Sequence, residues 1–431
     1  MAVTPLLPVA LGHGKIRYAQ GMKAGRWVFV SGCMAQDFVN GIAPDVLAAS
    51  MPHGGLPKRE KEATLIFDNM ETVLKEAGSG LSNIVRTDQY YTGVDVVPSY
   101  QGVRRKRLGQ NIPPSTSIAM NGLVLPDADM NVQAIAVIPE NGFQPEHLSH
   151  DTIQSRPTSG YSPALTVGDF VFLPGSTSMS MADEPAINGI AAAARMPDGM
   201  QWGGQPIKLE TDFIIRERLA PSLELAGSSL DDAVKAQVYL TDPDDYSAFN
   251  EVWARHFGED GPALSIIPCI DRGLAVIDGK IEINLLALKS GGATRKEQIR
   301  AGVTPGFRHQ PQAVRAGDLL FLSGLMAIDE NGLADEAKTD PGQPWFGSSA
   351  AAQAQCIIDH ASALCEAAGT SITNAVRIQQ FHTHMPDFYP VYQAWETALN
   401  GAPVPLSAVE VPGPLPVPDA TLLMDIWVYC P

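Results

Sequence analysis

Three stretches of the 431-residue chain share one alternation of apolar and polar positions. Residues 77–90 read AGSGLSNIVRTDQY, residues 226–239 read AGSSLDDAVKAQVY, and residues 368–381 read AGTSITNAVRIQQF. Each reads as a helix end, a glycine stop, a short polar turn and a β-rich run. The copies are offset by 149 and then 142 residues. Upstream of each lies a strand that ends in a small-residue turn, RWVFVSGC at 26–33, DFVFLPGS at 169–176 and DLLFLSGL at 318–325, with turn glycines Gly32, Gly175 and Gly324. Between strand and repeat, Leu65, Ile66, Met70, Val73 and Leu74 fall at helical spacing and predict a helix over 58–77. Its counterparts are predicted over 207–226 and 348–367. Second helices are predicted over 98–108, 246–257 and 388–399, stopping at Gly109, Gly258 and Asn400, residue types that suit a left-handed terminus. Closing strands follow over 130–137, 280–288 and 421–429. Each unit reads β(β)–α–β–α–β, and a repeat of this length means three copies of one domain.

The units are placed at 1–147, 148–298 and 299–431, with polar linkers at 144–159 and 289–304. Residues 39–55 look loop-like. The insert 181–206, rich in Ala, Gly and Met, is a candidate lid, since long stretches without periodicity are usually functional or mobile.

The net charge of −17 argues against nucleic acid as a partner, because phosphate binding needs clustered Lys and Arg. The basic run Arg104, Arg105, Lys106, Arg107 is read as a solvated helix face. The five cysteines share no repeat position, which points to reduced thiols in a cytoplasmic protein. The first residues lack a basic n-region and make a poor signal peptide. No apolar run approaches membrane-spanning length.

Several motifs resemble the RidA family, the YjgF-type enamine/imine deaminases. They are the opening Tyr-x-x-Ala segment (Tyr18-Ala-Gln-Gly and Tyr161-Ser-Pro-Ala), the Ala-Val-Arg-Ala-Gly run at 313–317, the VFVSG turn, the repeated AGSSL…YLTD passage and Asn250-Glu251-Val252. The resemblance covers nearly the whole chain. It implies an α+β fold of three tandem chorismate-mutase-like units, each a mixed sheet with two helices on one face. It further implies an internal pseudo-trimer with a ligand cleft at each unit boundary, acting as a monomer or a homodimer of such rings. The implied partner is a small-molecule substrate, with no cofactor, metal, nucleic acid or membrane.

The family chemistry uses an Arg that pairs with a substrate carboxylate, a Glu of the final strand that holds the attacking water, and the opening Tyr. Here the Arg position holds Ser115, Leu264 and Leu406. The Glu position, in a final-strand pattern like Ile-Glu-Ile-Glu-Ala, holds Gln133, Asn284 and Asp425. The Tyr position holds Tyr18, Tyr161 and Gln310, the last preceded by His309. Asp425 is therefore the candidate catalytic acid, expected to face Tyr18 with Gln101 or Tyr161 with Asn250. Tyr18, Tyr161, Gln101, Asn250, His309, Glu410, Ser115, Gln133 and Asn284 are the candidate substrate-binding residues. Arg17, Arg156 and Arg308, shortly before the Tyr position, are alternative anion anchors. His382 and His384 are placed on one strand face as a polar cleft or surface. Ring-opening amidohydrolases of the cyanuric-acid type, of comparable triplicated architecture, use repeated Ser–Lys pairs, and no such pair recurs here. Two functions stay open. One is a hydrolase or deaminase acting on a C–N bond in an inter-domain cleft. The other is a non-catalytic ligand-binding or scaffold protein.

Overall fold

A computed structural model describes residues 3–11, 16–39, 41–48, 55–149, 160–180, 189–304, 306, 310–342 and 347–431. Unit one holds β1 (Thr4–Leu11), β2 (Ile16–Ala24), β3 (Trp27–Cys33), a short α1 (Pro44–Leu47), α2 (Lys58–Glu76), β4 (Ile84–Tyr91), α3 (Val97–Leu108), β5 (Ser115–Ala119), β6 (Gly122–Leu123) and β7 (Met130–Val137). Unit two holds β8 (Glu146–Leu148), β9 (Ala164–Val167), β10 (Phe170–Phe172), β11 (Ser176–Thr177), α4 (Gln205–Ile214), α5 (Ala220–Leu225), β12 (Ala233–Leu240), α6 (Tyr246–Phe257), β13 (Ala263–Pro268) and β14 (Ile281–Leu288). Unit three holds β15 (Lys296–Ile299), β16 (Ala313–Ala316), β17 (Leu319–Leu322), the hairpin β18 (Ile328–Asp329) and β19 (Gly332–Leu333), α7 (Ser349–Ala367), β20 (Ala375–His382), α8 (Phe388–Ala398), β21 (Leu406–Glu410) and β22 (Leu422–Tyr429).

The sheet orders are β1-β2-β3-β7-β4-β5, β13-β12-β14-β10-β9-β8 and β15-β16-β17-β22-β20-β21-β6. Each sheet is mixed, because the repeated strand pairs parallel with the one that follows its second helix, as β4 does with β5. The helix stops are the glycines of the repeat, Gly78, Gly227 and Gly369, at φ of 83°, 69° and 77°.

Three expectations change. The linker at 144–159 contains β8, which pairs with β9, and the one at 289–304 contains β15, which pairs with β16. The predicted helix over 207–226 is interrupted by a π-helical turn at Ile215–Leu219. Pro221 follows it, and a proline can neither donate nor tolerate the carbonyl of the preceding turn, so the helix widens there. Of the candidate lid, 181–188 lie outside the described residues, and 189–204 carry one short 3-10 turn at Ala192–Ala194. Among the described residues no helix is long and apolar enough to cross a membrane.

Every residue of β4, β12 and β20 is buried. One face of each packs on its own helices. The other meets the neighbouring units, in an apolar cluster that mixes Phe29, Phe172, Phe321 and Trp427. Main-chain hydrogen bonds cross all the boundaries: Gly175 N donates to Ser115 O at 3.0 Å, Gly324 N to Leu264 O at 2.9 Å, and Ala19 N to Val404 O at 3.2 Å. Unit one thus touches two, two touches three, and three touches one. Glycine is needed in the repeated turn because the approach is close. A Cβ on Gly175 would lie 2.0 Å from Glu282 Oε1, and one on Gly32 would lie 2.9 Å from Ser407 Oγ of unit three.

A polar tie also recurs inside each unit. Glu62 on α2 accepts from Asp129 N at 2.8 Å and Met130 N at 3.0 Å. Glu210 on α4 accepts from Lys280 N at 3.1 Å, and Gln353 on α7 from Thr421 N at 2.9 Å. The first helix is thereby pinned to the start of the closing strand. Burial pushes Glu62 and Glu210 up to about 7 each, against their backbone donors. The native state therefore keeps protons that the unfolded chain releases above the usual 4.5, so stability falls as pH rises from about 4.5 to 7. Gln353 shows that an amide serves the same tie. The double variant E62Q/E210Q should flatten the decline of melting temperature between pH 5 and 7.5, at a cost of no more than ~2 °C at pH 5. A scan of Tm against pH checks this, and an unchanged slope refutes it.

Candidate functional sites at the unit boundaries

The repeat places one cation of each repeated strand at a boundary: Arg86, Lys235 and Arg377. Beside it stand a hydroxyl (Thr116, Ser265, Ser407) and a closing-strand residue of the next unit (Asn284, Asp425, Gln133). All nine are buried.

At the boundary of units two and three, Asp425 is fully buried. Its Oδ2 accepts from Ser265 Oγ at 2.5 Å and lies 2.6 Å from Lys235 Nζ. Its Oδ1 accepts from the Trp427 indole at 3.0 Å. Lys235 also donates to Ser265 Oγ at 2.9 Å and to Leu322 O at 2.8 Å. Burial lowers the Lys235 pKa, and the Asp425 charge opposes that shift. Asp425 faces another unit, but it meets Lys235 and Ser265 rather than either expected pair. Both carboxylate oxygens are thus engaged by protein donors. Leu264 and Leu423 close this boundary with hydrocarbon. The Ser–Lys pair here is single, since its counterparts are Arg86 with Thr116 and Arg377 with Ser407.

The boundary of units one and two holds a different acid. Glu282 lies on β14 in the sequence Ile-Glu-Ile-Asn, two residues before Asn284, and is 3% exposed. Burial pushes it up to about 8, against the Ser117 backbone amide and the Arg86 charge of unit one. The Gly175 turn packs on its carboxylate. Across from it, Ser115 Oγ accepts from Arg104 Nη1 at 3.0 Å. Arg104 is 1% exposed, which corrects the reading of its run as a solvated face; Arg105 and Lys106 are exposed as expected. Helix α3 carries Arg104 on its buried face beside Tyr100, its guanidinium 5.9 Å from that ring. Tyr161 of unit two runs alongside Ile112 of unit one, and Asn284 donates to Thr116 Oγ1 at 3.2 Å. The Glu position read from the sequence is Asn284 in this unit, and the signal for Glu282 is the Ile-Glu-Ile run two residues earlier.

At the boundary of units three and one, Tyr18 runs beside Val404 and its hydroxyl meets Gln36. Gln133 accepts from Arg377 Nε at 3.2 Å, and Arg377 also pairs with Asp88. Cys33, half-buried, has its thiol pushed up to about 12 by burial. His382 is buried and His384 exposed, so the pair forms no common face. Among the described residues no metal-binding cluster occurs. Glu410 accepts from Met385 N at 2.7 Å. Gln101 and Asn250 sit half-buried on α3 and α6. Arg17 bonds Glu396 at 3.4 Å at the surface. His309, Arg156 and Arg308 lie outside the described residues.

A family model described as Endoribonuclease L-PSP matches residues 13–138, 203–289 and 307–429. The chain belongs to this family. A RutC family protein of Pyrococcus abyssi is 34% identical over 108 residues, 25% of this chain and 72% of the relative. One of Saccharolobus solfataricus is 30% identical over 135 residues, 31% of this chain and 91% of the relative. Among solved structures, RidA from an Antarctic Psychrobacter is 23% identical, covers 33% of this chain and 98% of its own, and has a TM-score of 0.25. A chorismatase is 11% identical, covers 80% and 93%, and has a TM-score of 0.48. The Endoribonuclease L-PSP model matches three separate segments, so the repeat is a repeat of this family's domain.

Removing one partner of a buried ion pair strands the other. Asp425→Asn should therefore lower stability by ~3–5 kcal/mol, seen as a lower urea midpoint. The pair K235M/D425L should recover most of that loss. A single variant as stable as wild type would show that the pair does not hold the boundary.

Proposed function

We propose that the chain closes into an internal pseudo-trimer and hydrolyses a C–N bond of a small molecule at the boundary of units one and two. The observation that carries this reading is Glu282, a buried carboxyl whose pKa is raised to about 8, set against the neighbouring unit's Ser117 amide. Perturbed acids at an interface of polar groups are the signature of acid–base sites. Family membership adds that such domains are often enamine/imine deaminases.

In this reading Glu282 stands protonated near neutral pH and gives its proton to the imine nitrogen. Water adds to the carbon and returns a proton to the Glu282 carboxylate. Collapse then releases ammonia and leaves a carbonyl. Arg104, through Ser115 at the position of the family's Arg, orients the polar end of the substrate, with Tyr161 as a wall. Asp425 takes no part in this chemistry and holds the ring together. The acidic surface disfavours nucleic acid, and the units satisfy one another's faces, so the working particle is a monomer or a homodimer of rings in the cytoplasm.

The test uses imines generated in situ by an amino-acid oxidase, with ammonia release as the readout. Glu282→Gln should lower turnover by roughly 10²-fold or more, the scale of acid–base catalysis. Its melting temperature should stay at or above that of wild type at pH 8. Equal turnover in the variant and the wild type removes Glu282 from the mechanism.

A further inference from the structure

The cations that the repeat buries differ in what they can do chemically. Arg86 shares Thr116 with Asn284, and Arg377 donates to Gln133. A guanidinium stays protonated in proteins and is no nucleophile, so neither arrangement can react. Lys235 and Asp425 differ from both. One becomes an amine when it gives up a proton, the other is a carboxyl, and they are in contact.

Lys235 Nζ lies 2.6 Å from Asp425 Oδ2. Ser265 Oγ accepts from Nζ at 2.9 Å and donates to Oδ2 at 2.5 Å, so it bridges the two groups. The Trp427 indole donates to Oδ1 at 3.0 Å, and Nζ donates to Leu322 O at 2.8 Å. Lys235, Ser265 and Asp425 are buried. Phe321 stands edge-on to Trp427, with ring centroids 4.7 Å apart, and helps keep water out. Burial lowers the Lys235 pKa; the Asp425 charge opposes that shift and the Arg377 charge adds to it. Desolvation beside a second cation is what turns a lysine into a nucleophile.

We propose that Lys235 and Asp425 condense into an intramolecular amide that cross-links units two and three. Nζ first gives one proton to Oδ2, which leaves a neutral amine beside a neutral acid. The Nζ lone pair then adds to Cγ, forming the N–C bond. An electron pair of the C=O bond moves onto Oδ1, where the indole N–H stabilises it. Ser265 Oγ passes its proton to Oδ2 and takes one from Nζ. The Cγ–Oδ2 bond breaks, the carbonyl re-forms at Oδ1, and Oδ2 leaves as water. Both of its protons are supplied by Nζ, one directly and one through Ser265. No oxidant, reductant or further reactant is consumed.

Two features drive the step. Reactants held in contact and oriented reach effective molarities of about 10⁵–10⁸ M. Condensation also removes two buried charges, whose desolvation is costly, and leaves one neutral amide. The hydrogen bonds of that amide are already in place, with Leu322 O to accept from its N–H and the Trp427 indole to donate to its carbonyl. The ion pair is the state of the newly folded chain and the amide that of the aged one. The bond closes a loop of 425 − 235 = 190 residues.

The test is the intact mass of the full chain, unfolded in denaturant after days of incubation below its melting temperature. A species lighter by one water should accumulate with time, and digestion should yield a branched peptide joining Lys235 to Asp425. Lys235→Arg places there the residue that the other two units carry, keeps the charge, and should lose no water. Ser265→Ala should slow the accumulation by roughly 10²-fold, the scale of a lost proton relay. Trp427→Phe keeps a ring and should slow it by roughly 10²-fold as well, the scale of a lost oxyanion donor. A mass that stays at its full value, an equal water loss in Lys235→Arg, or recovery of Lys235 and Asp425 only in separate peptides would each overturn the proposal. Should a variant fail to fold, the branched peptide of the wild type decides the matter.

Discussion

The arrangement depends on neutralising cations that the repeat buries at every unit boundary. Arg86, Lys235 and Arg377 sit where three sheets converge, at 5% exposure or less. A charge in such surroundings is tolerable only if it is paired and hydrogen-bonded. Arg86 is answered within its own unit, by Asp88 at 2.6 Å. Lys235 and Arg377 are answered from the next unit, by Asp425 and by the same Asp88. Two of the three cations therefore lose their partner if a unit undocks. Amides and hydroxyls complete the layer: Gln237 donates to Gln379 at 2.5 Å, Gln379 to Tyr90 at 2.9 Å, and the Tyr90 and Tyr239 hydroxyls lie 2.9 Å apart. Residues of all three repeated strands meet in these contacts, so the stretch that reveals the repeat in the sequence also joins the units in space.

Much of the fold was legible because the repeat supplies independent readings of one pattern. The second helix of unit two and the closing strand of unit one carry the predicted bounds, 246–257 and 130–137. What was missed has local causes. β8 and β15 are short edge strands of charged and polar residues, and their pairing depends on a partner hairpin rather than on their own alternation. The break before Pro221 needed the helix interior to be read for its missing donor. The site was less legible. A column of residues says which side chains share a place, but not which of two acids two positions apart lies against the neighbouring unit. Asp425 stood out because its strand is apolar, and its partners, Lys235 and Ser265, lie 190 and 160 residues away in sequence.

The three boundaries have the same backbone and different chemistry. Between units two and three, hydrocarbon and an ion pair make a joint. Between one and two, a buried acid faces a guanidinium–hydroxyl pair. Between three and one, the Arg377 guanidinium reaches an amide, Gln133, and a carboxylate, Asp88, of the next unit. One geometry carries all of these because main-chain bonds and the close-packed glycine turn fix the docking. The side chains at the remaining positions are then left to vary.

Asp88 shows what fusing the copies permits. In a ring of identical chains, any residue near the centre appears three times, and like charges placed together repel one another. Here its counterparts are Gln237 and Gln379, so one carboxylate bridges two guanidinium groups with no other carboxylate from its column beside it. A symmetric assembly cannot adopt that stoichiometry. Covalent linkage thus removes the requirement that each change be acceptable at every vertex at once, and the molecule can hold a lopsided charge pattern at its centre.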